Sequence, residues 1–309
     1  MNEAGFSAEL PRAEALVRLI ERYRRSELDE PGREARLTLC AAAGLSPAAL
    51  IAAPEAPLGA AAVRLEDFAA RRASGEPLSR IVGKREFWGL AFAISPEVLD
   101  PRPETETIIE AAVALLADRR LDQLRLLDLG VGSGALLCAL LCEFVNARGL
   151  GVDVSAPAAE MARRNIELCG LARRAEIRLG AWADGVEGSF DLIVSNPPYI
   201  PSGDIEGLSA AVRHFDPRLA LDGGIDGLDA YRAILPAAAR LLAEDGAILV
   251  EVGEGQAGDV LDIAAKAGFV ERSIRRDLAG HERVVAARSP GTASRPACRN
   301  SDQEGDNRL

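Results

Sequence analysis

The sequence predicts an α/β protein: a seven-stranded, mostly parallel, doubly wound sheet preceded by a smaller helical domain and joined to it by a β-hairpin. Three observations predict it. From Leu124 onward, apolar runs of strand length alternate with stretches of helical periodicity, the pattern of a parallel sheet covered by helices on both faces. Before about residue 76 the apolar residues fall at helical spacing. Between these regions, residues 79–99 turn to β-prone and aromatic side chains punctuated by Gly83 and Gly89.

In the N-terminal region, Ala15, Leu16, Leu19, Ile20 and Tyr23 share one helical face, and Arg33 to Ala43 continue the pattern. Gly44 stops that helix, Ser46-Pro47 caps and starts the next, and a further helix around Val63 and Phe68 ends near Gly75 and Pro77. Ile81, Val82, Phe87, Trp88, Phe92 and Ile94 read as a hairpin, and a helix is expected from Glu104 to Ala117. Strands are then expected at 124–129, 149–154, 175–179, 190–195, 247–252, 270–275 and 283–287, with helices at 135–145, 156–169, 228–242 and 257–267. The expected division is a helical recognition domain at 1–76, a linker at 77–100, a ligand-binding sheet domain at 101–288 and a disordered tail at 289–309, whose polar composition offers no core.

Composition narrows the function classes. With 48% hydrophobic and 27% charged residues the chain reads as a soluble globular protein. A net charge of -11 argues against direct nucleic-acid binding, which phosphate neutralisation by basic residues drives. Five cysteines without a CxxC pair suggest neither a disulfide framework nor zinc, and two histidines argue against a multi-histidine metal centre. No leader and no run of membrane-spanning length is present, so a cytoplasmic monomer without a membrane partner is expected.

Two motifs carry chemistry. The first strand ends in Asp128, and Gly130, Val131, Gly132, Ser133 and Gly134 then run straight into a helix. Glycines there permit a tight turn and close approach of a ligand to the main chain. Asp153 ends the next strand, about twenty residues on, where a carboxylate can accept both ribose hydroxyls of a nucleoside cofactor. Asp128 is placed either to meet the ammonium of a methionyl group or to cap the loop. Trp182, just after the third strand, suits stacking beside an adenine or plain core packing.

The fourth strand ends in Asn196-Pro197-Pro198-Tyr199, at the mouth of the sheet. An amide nitrogen is a poor nucleophile because its lone pair is delocalised. The Asn196 side-chain oxygen and the Pro197 carbonyl can take its two N–H bonds and hold it in line with a sulfonium methyl. The prolines stiffen the backbone and Tyr199 offers a flat face. Positioning then supplies most of the rate, with no metal.

Here the chain resembles the release factor glutamine methyltransferases, the HemK/PrmC family, from about residue 10 to 288. The resemblance rests on Asn196 to Tyr199 behind Asp128 to Gly134, on Pro77 to Gly83, Glu86 to Leu90, Pro101-Arg102-Pro103-Glu104-Thr105-Glu106, Ala220 to Arg232, and Asp277 to Gly280. It implies S-adenosylmethionine as cofactor, held by Gly130 to Gly134, Asp153, Trp182 and Asn196. It implies class 1 peptide chain release factors as partners, methylated at the glutamine of their Gly-Gly-Gln motif, with Asn196, Pro197, Pro198 and Tyr199 holding that glutamine. Arg102 and Thr105 are expected at the cofactor entrance, a capped helix start being the alternative. Phe87 is expected either to wall the glutamine pocket or to fill the hairpin core. A ribosomal-protein glutamine methyltransferase would lack the Arg102 to Glu106 segment, and an adenine methyltransferase would show a basic groove.

Overall fold

Helical spacing of small and branched apolar residues gives the N-terminal segment a core of its own. The computed structural model describes residues 5–289. Helices α1 (Arg12–Arg25), α2 (Pro31–Ala43), α3 (Pro47–Ala52) and α4 (Ala61–Ala73) enclose Leu19, Tyr23, Leu39 and Leu65. The buried Tyr23 hydroxyl donates to Thr38 Oγ1 at 3.0 Å, which satisfies the one polar atom of that ring. Gly44 closes α2 with φ 66° and Ser46 caps α3 by accepting from the Ala49 amide.

The linker differs from its expected form. Ile81 and Val82 belong to a short helix, α5 (Leu78–Val82), and not to the hairpin. Pro77 sets its start, Gly83 at φ 70° ends it, and the turn buries Ile81 while aiming Arg80 at the carbonyls of Ser95 and Val98. These tertiary contacts outweigh a β-branched preference. The hairpin pairs β1 (Lys84–Phe87) with β2 (Leu90–Ala93) through Trp88 and Gly89, both at positive φ, the twist a two-residue hairpin requires. The Trp88 amide donates to Glu106 and its indole N–H to Glu143, each at 2.8 Å, so the strained turn is anchored on two helices.

Helix α6 (Glu106–Leu115) leads into the sheet domain: β3 (Arg125–Leu129), α7 (Ala135–Glu143), β4 (Arg148–Asp153), α8 (Ala156–Leu168), β5 (Ala175–Leu179) and β6 (Phe190–Ser195). There follow α9 (Ala210–Phe215), α10 (Asp229–Leu241), β7 (Leu242–Glu251), α11 (Ala257–Lys266), β8 (Glu271–Arg276) and β9 (Glu282–Arg288). The seven strands lie in the order β5-β4-β3-β6-β7-β9-β8, parallel from β5 to β7, with β9 antiparallel to both neighbours. Alternate residues face opposite layers: Leu126, Leu192 and Leu249 pack under α6 and α7, while Leu127, Ile193 and Ile248 pack under α10 and α11. Burial on both faces is why these strands read as unbroken apolar runs.

Strand β7 begins at Leu242, well before the expected Ala247. Helix α9 and two short 3-10 turns, Ile205–Gly207 and Arg218–Ala220, fill a stretch for which the sequence suggested no element. Ser289, the first residue of the expected tail, is buried and its amide donates to the Gly246 carbonyl at 3.1 Å, so the sheet domain includes it. The rest of that tail, 290–309, lies outside the described residues. Among the described residues no helix is long and apolar enough to cross a membrane, and no three His, Cys, Asp or Glu are grouped to hold a metal ion.

Candidate active site

The carboxyl ends of β3, β4 and β6 converge on one cavity of about 820 Å³, the size of a small-molecule site. Its floor is the glycine loop. The amides of Gly130 and Val131 both donate to the Val152 carbonyl, at 2.9 and 3.0 Å, pinning the loop to the next strand. Gly132 has φ 53° and donates its amide to Asp153 Oδ2 at 2.8 Å. At Gly134, with φ 80°, a Cβ would sit 3.1 Å from the Ala162 backbone, so glycine lets the loop pack against α8 without strain. From the other side the buried Asn165 is fully used: it accepts from the Ala93 amide and donates to the carbonyls of Ala93 and Ser133, at 2.8 to 2.9 Å. One side chain thereby ties the hairpin to the loop.

The residues facing this cavity fit S-adenosylmethionine. Asp153 accepts the amides of Gly132 and Ser155, both at 2.8 Å, and each oxygen keeps a second lone pair for a ribose hydroxyl. Trp182 lines the wall close to Gly130 while resting partly on the core beneath α10. Asp128 is 1% exposed, and neither of its oxygens has a hydrogen-bond partner among the described residues. Burial first, and the nearby Asp153 charge second, push its pKa up to about 8. A buried carboxylate left unpaired is expensive, and an ammonium arriving in the cavity removes that cost.

Across the cavity, Asn196 and Pro198 reach the wall. The Asn196 Nδ2 donates to Thr105 Oγ1 at 2.9 Å, leaving Oδ1 as the free end of the amide. Thr105 Oγ1 in turn donates to Glu251 Oε2 at 2.6 Å. Pro197 is buried beside the cavity and not on its wall. Tyr199 likewise is not on the wall: its ring packs on the core and its hydroxyl points to Glu251 Oε1 at 3.4 Å, while its carbonyl accepts from Gln256 at 2.8 Å. Burial, reinforced by the Glu251 charge, raises the Tyr199 phenol well above its usual range, so it stays protonated. Phe87 lines the cavity and also meets Phe92 of the hairpin edge to face at 6.3 Å.

Comparison with known proteins decides the family. Residues 14–83 match the model of the PrmC N-terminal domain and residues 106–214 that of the methyltransferase small domain. A release factor glutamine methyltransferase of Bradyrhizobium diazoefficiens is 48% identical over 87% of this chain and 92% of its own length. One of Rhodospirillum rubrum is 47% identical over 84% and 80%. The chain belongs to the release factor glutamine methyltransferase family. The hMettl16 catalytic domain, solved in complex with the MAT2A 3'UTR hairpin 6, shares the fold at a TM-score of 0.55 and 18% identity, over 72% of this chain and 82% of that one.

Of the two residues expected at the entrance of this methyltransferase, the structure places one there and not the other. Arg102 does not line the entrance; with Arg80 it holds the buried carboxylate of Asp216 at 2.5 Å, fastening the segment after α9 to the linker. Thr105 lines the cavity but also bridges Asn196 to Glu251, and its side chain caps no helix. Glu251 is a further polar residue of the site, outside both sequence motifs. The only signal was a carboxylate interrupting the apolar run of β7 at its carboxyl end, where sheets of this kind bind ligands.

Proposed function

We propose that this methyltransferase transfers the methyl group of S-adenosylmethionine to the side-chain amide nitrogen, N5, of the glutamine in the Gly-Gly-Gln motif of class 1 peptide chain release factors. One observation carries the chemistry: Asn196 lines the same cavity as the glycine loop, with its Nδ2 occupied by Thr105 and its Oδ1 left as an acceptor. Family membership supports the substrate.

When bound, S-adenosylmethionine supplies a methyl on a sulfonium, a good leaving group. Gly130 to Gly134, Asp153 and Trp182 seat the nucleoside, and Asp128 faces the ammonium. Asn196 Oδ1 accepts an N–H bond of the incoming amide, Pro198 and Phe87 confine its plane, and the buried Pro197 stiffens the backbone between Asn196 and Pro198. Tyr199 backs this set from behind, stiffening the tetrad. Orientation of this kind is worth several kcal/mol of barrier without any strong base, and the amide nitrogen, which exchanges one N–H bond for the new N–C bond, gives up that proton to solvent. The helical domain at 1–76 supplies the surface that selects a release factor. The chain acts as a monomer in the cytoplasm, and its charge of -11 supports a protein substrate over a nucleic acid.

Mass spectrometry of release factor incubated with cofactor and enzyme tests this. Methylglutamine within Gly-Gly-Gln is expected with the wild-type protein. Asn196→Ala should lower turnover by about 10²-fold with cofactor affinity nearly intact. Methylation elsewhere, or full activity of the variant, would refute the assignment.

A further inference from the structure

The polar contacts behind Asn196 have a direction, and a buried acid sets it. Glu251 ends β7, is 2% exposed, and reaches both ends of the tetrad, Asn196 through Thr105 and Tyr199 directly: Oε2 receives the Thr105 hydroxyl at 2.6 Å, and Oε1 faces the Tyr199 hydroxyl at 3.4 Å. Its own carbonyl accepts the Tyr231 hydroxyl at 2.8 Å, which fixes the strand end from the opposite layer. A carboxylate only accepts hydrogen bonds. Thr105 must therefore spend its single proton on Glu251, and toward Asn196 it can only accept. That forces the Nδ2 end of Asn196 toward Thr105 and the Oδ1 end toward the cavity. Were Thr105 free to donate to Asn196, the amide would be equally content flipped, and it would then present N–H groups to a substrate amide that also presents N–H groups.

We propose that Glu251 is a positioning residue for methyl transfer, acting through Thr105 to fix the orientation of the Asn196 amide. The inference rests on the amide-methylation reading given above. It uses no reactive step of its own; Glu251 touches neither reactant.

The relay is sensitive to the protonation of Glu251. Burial raises its pKa to about 7. Thr105 and Arg283 of β9 oppose that rise, and Glu104, just before Thr105, adds to it. Tyr199 faces its other oxygen and Tyr231 its main chain, and both phenols stay protonated because burial raises them. Above the Glu251 pKa the carboxylate enforces the direction. Below it the carboxyl proton can point at Thr105, the direction is lost, and turnover falls.

The test uses the full-length enzyme with intact release factor, measuring kcat against pH, cofactor Kd and thermal stability for Thr105→Val, Thr105→Ser and Glu251→Gln. Valine keeps the shape and removes the relay, so kcat should fall at least about tenfold, short of the 10²–10³ lost with a direct contact, while cofactor Kd stays within about twofold. Serine should restore most of the rate. The wild-type kcat should fall on the acid side of an inflection near neutrality, and Glu251→Gln, which cannot titrate, should show a lower and flat profile. The inference is overturned if Thr105→Val and Glu251→Gln keep the wild-type kcat and its pH profile, or if their losses track an equal loss of cofactor affinity. A wild-type enzyme that leaves the release factor glutamine unmodified would sink the amide reading and the relay with it.

Discussion

At the scale of single residues, the site is defined by acids whose partners are missing or specific. Asp128 and Asp153 stand on adjacent strand ends, yet they differ in kind. Asp153 is held by two amides and projects its remaining lone pairs outward. Asp128 is enclosed, unpaired and raised to about 8. Its protonation should therefore be linked to cofactor binding. With a free-state pKa near 8 the group is mostly protonated at neutral pH, and an ammonium in the cavity draws it back to the carboxylate. Binding should then release close to one proton per cofactor at about pH 7. Affinity should rise up to about tenfold per pH unit from about pH 6 to 7, where an α-amino group is still charged. Calorimetry in two buffers of different ionisation enthalpy measures the proton count, and Asp128→Asn should abolish it. Binding by the wild type without proton release would remove Asp128 from the ammonium site.

At the scale of elements, the strands and the glycine loop were legible because their signals are local. Leu126, Leu127 and Leu129 announce a strand buried on both faces, and the glycines after them announce a turn into a helix. The relay through Glu251 was not legible, because Thr105 and Glu251 are far apart in sequence and only the sheet brings them together. The same holds for Asp216, whose two arginine partners come from the linker and the start of the sheet domain, and for α5, where packing of Ile81 overrides its β preference. Asn165 is the plainest case. Nothing near it in sequence predicts that it joins β2 to the glycine loop. Asn165→Ala leaves an amide and two carbonyls unpaired in the interior, at about 1–3 kcal/mol for each one that finds no new partner. A loss of about 2–4 kcal/mol overall, seen as a Tm lower by roughly 5–15 °C, is the expected result of a thermal melt. Cofactor affinity should fall with it as the loop loosens, and an unchanged Tm would show that the three bonds are dispensable.

At the scale of the whole molecule, the proposed function assigns cofactor binding and the choice of protein substrate to different parts of the chain. Every residue lining the cavity lies at or beyond Phe87. The N-terminal helices bury their own cluster, which shares no residue with the two clusters flanking the sheet. A chain beginning at Pro77 would keep α5, the hairpin, the Arg80 and Arg102 grip on Asp216, and the whole cofactor site. It should bind S-adenosylmethionine with near wild-type affinity. A glutamine side chain alone offers little area for recognition, so contacts remote from the reacting nitrogen must hold it in line, and their loss should lower turnover as well as affinity. Turnover of the truncated enzyme on intact release factor should therefore fall by about 10²-fold, the scale of a small misplacement of reacting groups. The full-length enzyme should treat a short Gly-Gly-Gln peptide just as poorly, since the peptide cannot reach those outer contacts. The comparison of the two chains on the two substrates tests the proposed recognition role directly: if the truncated enzyme matched the full chain on intact release factor, selection would have to reside in the sheet domain, and residues 1–76 would have no part in it.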